Sequence, residues 1–92
     1  MIKSFRHAGL ERLYKTDSKA GIQPHHAQKL RVQLTALNEA REPSDMAVPL
    51  SWRLHRLQGK ERHWSVWVDA NYRLTFTFDG EDVTLLDYRD YH

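Results

Sequence analysis

Trp64-Ser65-Val66-Trp67-Val68-Asp69-Ala70-Asn71-Tyr72-Arg73-Leu74-Thr75-Phe76-Thr77-Phe78-Asp79-Gly80 is the stretch that decides the fold. Trp64, Val66 and Val68 alternate with Ser65, Trp67 and Asp69, and Leu74, Phe76 and Phe78 alternate with Arg73, Thr75 and Thr77. A period of two belongs to a strand with one face on a core. Asp69-Ala70-Asn71 reads as a turn. Asp79-Gly80 between alternating runs is a strong hairpin signal. Val83 to Tyr88 then forms the last strand of a meander. On the other side, Trp52 to Leu57 reads as its first strand, followed by a turn at Gln58-Gly59-Lys60-Glu61.

Upstream of Ser51 the period changes to 3.6. Leu10, Leu13 and Tyr14 have the spacing of a short amphipathic helix over about Ala8 to Asp17, with Gly21 as its breaker. Pro24 suits a first helical position. Ala27, Leu30, Leu34, Leu37 and Ala40 then give one apolar stripe, with His26, Lys29, Gln33 and Glu39 on the opposite face. Pro43 closes this helix, and residues 41–50 read as a loop. Ile2 to Phe5 suits a short N-terminal strand. The expected fold is α+β: a short N-terminal strand and two helices packed on one face of a curved antiparallel sheet, the other face partly open. Leu34 and Phe76 are expected between helix and sheet.

The chain has 92 residues and 40% hydrophobic content, with three Trp, four Tyr and three Phe. That supports one domain over residues 1–92 with one modest core. A chain of this size buries only about 60–65% of its unfolded surface, so little stability is in reserve. Cysteine is absent, which excludes disulfides, thiolate zinc sites and cysteine catalysis. No apolar run is long enough to span a bilayer and no signal-peptide core is visible, so a cytoplasmic setting is expected. Charge is divided unevenly: residues 1–62 hold twelve Lys/Arg against six Asp/Glu, while residues 63–92 hold two against six. The densest basic run is Arg53, His55, Arg56, Lys60, Arg62 and His63, interrupted only by Glu61. Such clustering is either a footprint for a polyanion or a solvated strand face.

No phosphate-binding glycine loop, metalloprotease helix or calcium loop is present. His25 and His26 are adjacent and would diverge by about 100° on a helix, so no metal site is expected there. The last three residues, Asp90-Tyr91-His92, all carry proton donors or acceptors. The meander places His55 in the same sheet, and Arg73 opposite Leu74 and Phe76, on the open face. Two imidazoles, an Asp, a Tyr and a fixed cation on one concave surface are what metal-free RNA cleavage requires. Structural or solvated roles for the same side chains are the alternative. For the two histidines to act together, Val83–Tyr88 would have to return toward the sheet centre.

The order of these segments resembles the HigB-type toxins of the RelE/ParE superfamily. The matching segments are Met1-Ile2-Lys3-Ser4-Phe5, Leu54-His55-Arg56-Leu57-Gln58-Gly59, Trp64-Ser65-Val66, Asn71-Tyr72-Arg73-Leu74-Thr75-Phe76 and Asp87-Tyr88-Arg89-Asp90-Tyr91-His92. Each motif is weak alone; in order, over essentially the whole chain, they are strong. The resemblance implies a ribosome-dependent mRNA endonuclease that cuts mRNA in the ribosomal A site by 2′-OH attack, without metal or other cofactor. It implies a HigA-type helix-turn-helix antitoxin as partner, through which the toxin–antitoxin complex binds operator DNA. The family's active-site positions fall on His55, Arg73, Asp90, Tyr91 and His92. Arg53, Arg56, Lys60 and Arg62 would face ribosomal RNA and mRNA. Gln58 departs from relatives with a basic residue before the motif glycine, leaving Lys60 or Arg56 to supply charge there. Tyr91 and Trp67 suit stacking on bases; for Trp67 a half-buried sheet position or an antitoxin contact is the expectation. Two rival readings remain: a ParE-like toxin that binds DNA gyrase without cutting RNA, and a decayed toxin acting only as antitoxin partner or corepressor.

Overall fold

A computed structural model of the chain describes residues 1–59 and 62–91. Two helices, α1 (Ala8–Thr16) and α2 (Ala27–Glu39), precede strands β1 (His55–Arg56), β2 (Trp64–Trp67), β3 (Tyr72–Asp79) and β4 (Asp82–Asp90). Among the described residues these strands form an antiparallel sheet in the order β1-β2-β3-β4. The helices cover one face, giving the expected α+β arrangement. The apolar stripe of α2 is inside: Leu30, Leu34 and Leu37 share a core with Val66, Leu74, Phe76 and Leu86. Leu34 is 3% exposed and Phe76 fully buried, as their periodicities require.

The expected N-terminal strand is reduced to two isolated bridges, Ile2 to Val83 and Phe5 to Leu86, by which this segment runs parallel to β4 along its outer edge. Lys3 and Arg6 donate their N–H groups to the carbonyls of Val83 and Leu86, both at 2.8 Å. It straddles a β-bulge. Thr75 pairs with Asp87 but Thr77 with Thr84, so Leu85 is the extra residue, with φ 53° and its N–H on Ser4 Oγ. A bulge bends the strand and sharpens its twist, which curves the sheet.

Four further local expectations are corrected. The first helix ends at Asp17, which takes the left-handed conformation (φ 59°) and donates its N–H to Leu13 O. Asp tolerates that region, so no glycine is needed there. Gly21 lies beyond, in the loop, and packs against Gly9: a Cβ on Gly9 would sit 2.7 Å from the Gly21 carbonyl oxygen. Second, His26 and Gln33 are not on the solvent face of α2 but buried. At four residues before Leu30 and four before Leu37 they lie on the apolar stripe itself, and their polarity concealed it.

Third, the run Trp52–Leu57 is not one strand. Leu50–Trp52 is a 3-10 turn, Arg53 adopts φ 49°, and only His55–Arg56 pairs with β2. Burying Trp52 in the core takes that part of the chain out of the sheet. Fourth, β4 does not return to the sheet centre. The two-residue Gly80–Glu81 turn makes β3 and β4 neighbours, and the short link between β2 and β3 does the same, so β1 and β4 lie at opposite sides of the strand order.

Removing the side chain at the helix–sheet contact leaves a cavity as well as losing transfer energy. Leu34→Ala or Phe76→Ala should each lower unfolding free energy by about 2–5 kcal/mol, read from urea denaturation at constant m-value.

Candidate active face

Strand register assigns side chains to faces. Val66 pairs with Leu74 on the core side, and alternation puts Ser65, Trp67, Arg73, Thr75 and Thr77 on the other. His55 pairs with Ser65, so it shares that outer face, as does Arg89 opposite Arg73. Arg73 is therefore on the open face, as its spacing from Leu74 and Phe76 required.

Arg73 does not float there. Its Nη1 donates to three carbonyls of the β2–β3 turn: Asp69 O at 2.6 Å, Ala70 O at 3.1 Å and Tyr72 O at 3.1 Å. The guanidinium lies over the Trp67 ring, 4.1 Å from its centroid, and 5.4 Å from that of Tyr91. Arg53 covers Trp67 too, at 4.0 Å. Arginine over an aromatic face is attracted by the ring quadrupole. The result is two cations and two aromatic rings in one row.

His55 is exposed and its ring is held by its own backbone turn. Nδ1 lies 2.9 Å from Arg53 O. A carbonyl only accepts, so Nδ1 carries the proton and Nε2 is the atom left for proton transfer. Register puts His55 two strands from Arg73, roughly 10 Å across the sheet at normal strand spacing. The two side chains share the outer face two strands apart.

The other expected residues are placed as follows. Tyr91 continues past β4 with its N–H on Asn71 O at 2.6 Å, which brings its ring to Arg73. Asp90 pairs with Tyr72 and by alternation falls on the Tyr88 side of β4, away from Arg73. Arg56 and Arg62 are exposed near the β1–β2 connection. Arg62 and His63 border an open groove of about 400 Å³ with Thr77 and Thr84. Lys60 and His92 lie outside the described residues.

Sequence reasoning missed a polar cluster at the same end of the sheet. His26 Nε2 donates to Asp69 Oδ2 at 2.6 Å, and its Nδ1 is 2.5 Å from the Tyr88 hydroxyl. Asp69 Oδ1 accepts from the N–H groups of Asn71 and Tyr72, both at 2.9 Å. The His26 bond and these two N–H groups hold the Asp69 carboxyl at about 2, against an ordinary 3.8. Burial pushes the Tyr88 phenol up to about 12, so it stays a donor to His26. His25 and His26 also converge more than adjacent helical residues should. Their ligand atoms and an Asp69 oxygen lie within 4.8 Å of one another, although Pro24–His26 is a 3-10 turn in which adjacent side chains start out still further apart. The geometric argument against a metal at the two histidines therefore does not hold, although Asp69 is already engaged in hydrogen bonds. A Pro-His-His start to a helix and an Asp-x-Asn turn were the only sequence signals of this cluster.

The family description "RelE-like toxin of type II toxin-antitoxin system HigB" matches residues 3–92. The chain belongs to the HigB-like toxin family. Among curated relatives, Endoribonuclease HigB of Proteus vulgaris is 37% identical over 93 residues, covering all of both chains. Toxin HigB-1 of Vibrio cholerae serotype O1 is 33% identical over 95 residues, covering all of this chain and 98% of that one. A HigB-like toxin is one half of a toxin–antitoxin pair, which gives this chain an antitoxin as partner. Among the described residues no helix is long and apolar enough to cross a membrane.

Because the Asp69 carboxyl titrates at about 2 when folded, its stabilising bonds are complete above the ordinary value of 3.8 and are lost as pH falls toward 2. In Asp69→Asn the uncharged amide can still pair with His26 through the other imidazole tautomer. Thermal melts between pH 4 and pH 2 should therefore fall more steeply for the wild type than for Asp69→Asn.

Proposed function

We propose that this HigB-like toxin is a ribosome-dependent endoribonuclease that cleaves mRNA in the A site and is neutralised by a HigA-type helix-turn-helix antitoxin. The observation that carries the reading is Arg73: a cation pinned on the open face between Trp67 and Tyr91, with His55 on the same face. The name of the Proteus vulgaris relative supports the same activity.

The chemistry follows from those groups. A base removes the proton of a 2′-OH, and the oxygen attacks the adjacent phosphorus. The five-coordinate phosphorane carries extra negative charge, which Arg73 stabilises. The 5′-oxygen leaves as it takes up a proton, giving a 2′,3′-cyclic phosphate and a 5′-hydroxyl. His55 offers Nε2 as one proton carrier, and His92 serves as the other; Asp90, which register puts on the opposite face of β4, is left out of the proton transfer. Tyr91 holds the phosphate or stacks on a base, and Trp67, whose ring Arg53 and Arg73 already cover, supports the cations. Arg53, Arg56, Lys60 and Arg62 take up phosphates of ribosomal RNA and mRNA, and the toxin–antitoxin complex reaches operator DNA through the antitoxin. The expected location is the cytoplasm, where ribosomes are.

Primer extension on translating ribosomes is the direct test. Discrete cuts by the wild type support the reading, while no cuts together with inhibited gyrase supercoiling would overturn it. Arg73→Ala, His55→Ala and His92→Ala should each slow cleavage by about 10²–10⁴ with antitoxin affinity nearly unchanged. Ribosome binding should weaken with salt, because each neutralised phosphate releases counterions. Arg53→Glu with Arg56→Glu should lower both the affinity and the salt slope; an unchanged slope removes these residues from the docking face.

A further inference from the structure

We propose that His26 and Asp69 are positioning residues that hold Arg73 in place for catalysis, an inference that rests on the role given to Arg73 above. The link is a continuous set of hydrogen bonds. His26, buried at the start of α2, donates to Asp69 Oδ2, across 43 residues of sequence. Asp69 Oδ1 accepts from two successive turn N–H groups, those of Asn71 and Tyr72. That fixes the turn whose carbonyls, at Asp69, Ala70 and Tyr72, converge on Arg73 Nη1. One side of the turn is thus tied to the helix layer, and the other side aims a guanidinium at the open face. Among the described residues Nε and Nη2 of Arg73 have no hydrogen-bond partner, so they are the donors available to a phosphate.

The imidazole is itself held from behind. The Tyr88 hydroxyl meets its Nδ1, and Tyr88 stacks on Tyr72 with ring centroids 5.0 Å apart. His26 therefore cannot swing without moving two aromatic residues of the core edge. Without the Asp69 carboxylate the turn has no acceptor for its two N–H groups, and its carbonyls lose their common direction. Displacement of a reacting group by 1 Å can cost about 10²-fold in rate.

A double-mutant cycle on cleavage, measured on translating ribosomes with the full chain, separates positioning from general structural support. Asp69→Ala should slow cleavage by about tenfold to a hundredfold. In an Arg73→Ala background the same change should cost less than about twofold, since a group acting only through Arg73 has nothing left to position. Asp69→Asn, which keeps the Oδ1 acceptor, should recover most of the activity. Losses that multiply in the double variant would overturn the proposal. If Asp69→Ala fails to fold, Asp69→Ser replaces it, keeping an oxygen for the turn while dropping the His26 bond; the same non-multiplying pattern is expected at smaller size. Nitrogen NMR of the Arg73 guanidinium supplies a readout independent of activity. Its signals should broaden in Asp69→Ala, and unchanged signals would overturn the positioning claim. Wild-type cleavage by Arg73→Ala would instead sink the catalytic reading of Arg73, leaving the NMR result to judge the positioning alone.

Discussion

The burial of one helical stripe against one sheet face holds this small molecule together. Leu30, Leu34 and Leu37 of α2 lie in a single core with Val66, Leu74, Phe76 and Leu86. Each such side chain removed from water contributes about 1.5–3 kcal/mol, against a total stability of about 5–15 kcal/mol for a domain. With one core and no cysteine, nothing else can replace that layer. Because only one face of the sheet is covered by helices, the opposite face is free to carry polar and charged groups.

The polar cluster at the start of α2 joins the two layers at the end of the sheet that carries Arg73. His26 sits on the buried stripe, yet its ring nitrogens are both engaged, by Asp69 and Tyr88. Gln23 adds to the same junction, donating Nε2 to the Tyr72 hydroxyl at 3.1 Å. A buried imidazole left unpaired would be costly, so the cluster is satisfied as a unit or not at all. Its consequence reaches the other face through the backbone: the turn that Asp69 closes is the one that grips Arg73.

On that face, two cations gather on one aromatic ring. Arg53 and Arg73 share the Trp67 ring, and like charges on one ring repel. The aromatic quadrupole and the turn carbonyls offset that repulsion. The bulge at Leu85 and the parallel N-terminal segment shape the far side of the same curved sheet.

Much of this was legible in the residues themselves. The two periods, 3.6 before Ser51 and 2 after it, determined the class, the helix-covered face, the hairpin at Gly80 and the burial of Leu34 and Phe76, because periodicity is local and repeats along one element. Arg73 could be assigned to the open face for the same reason. The order of segments and motifs pointed to the HigB-like toxin family. Other features depend on contacts between residues far apart in sequence. Trp52 left the first strand because the core had room for it, and that choice is energetic and tertiary. His26 and Gln33 looked like solvent residues because their polarity outweighed their position, and only their partners, Asp69, Tyr88 and the Trp67 carbonyl, explain their burial. The sequential strand order is that of the meander read from the residues, while the return of β4 toward the sheet centre fails because each short connection keeps a strand beside its predecessor. The Asp69 turn reads from sequence as a turn, but that it joins a buried histidine to a surface arginine is decided by packing, where two layers meet.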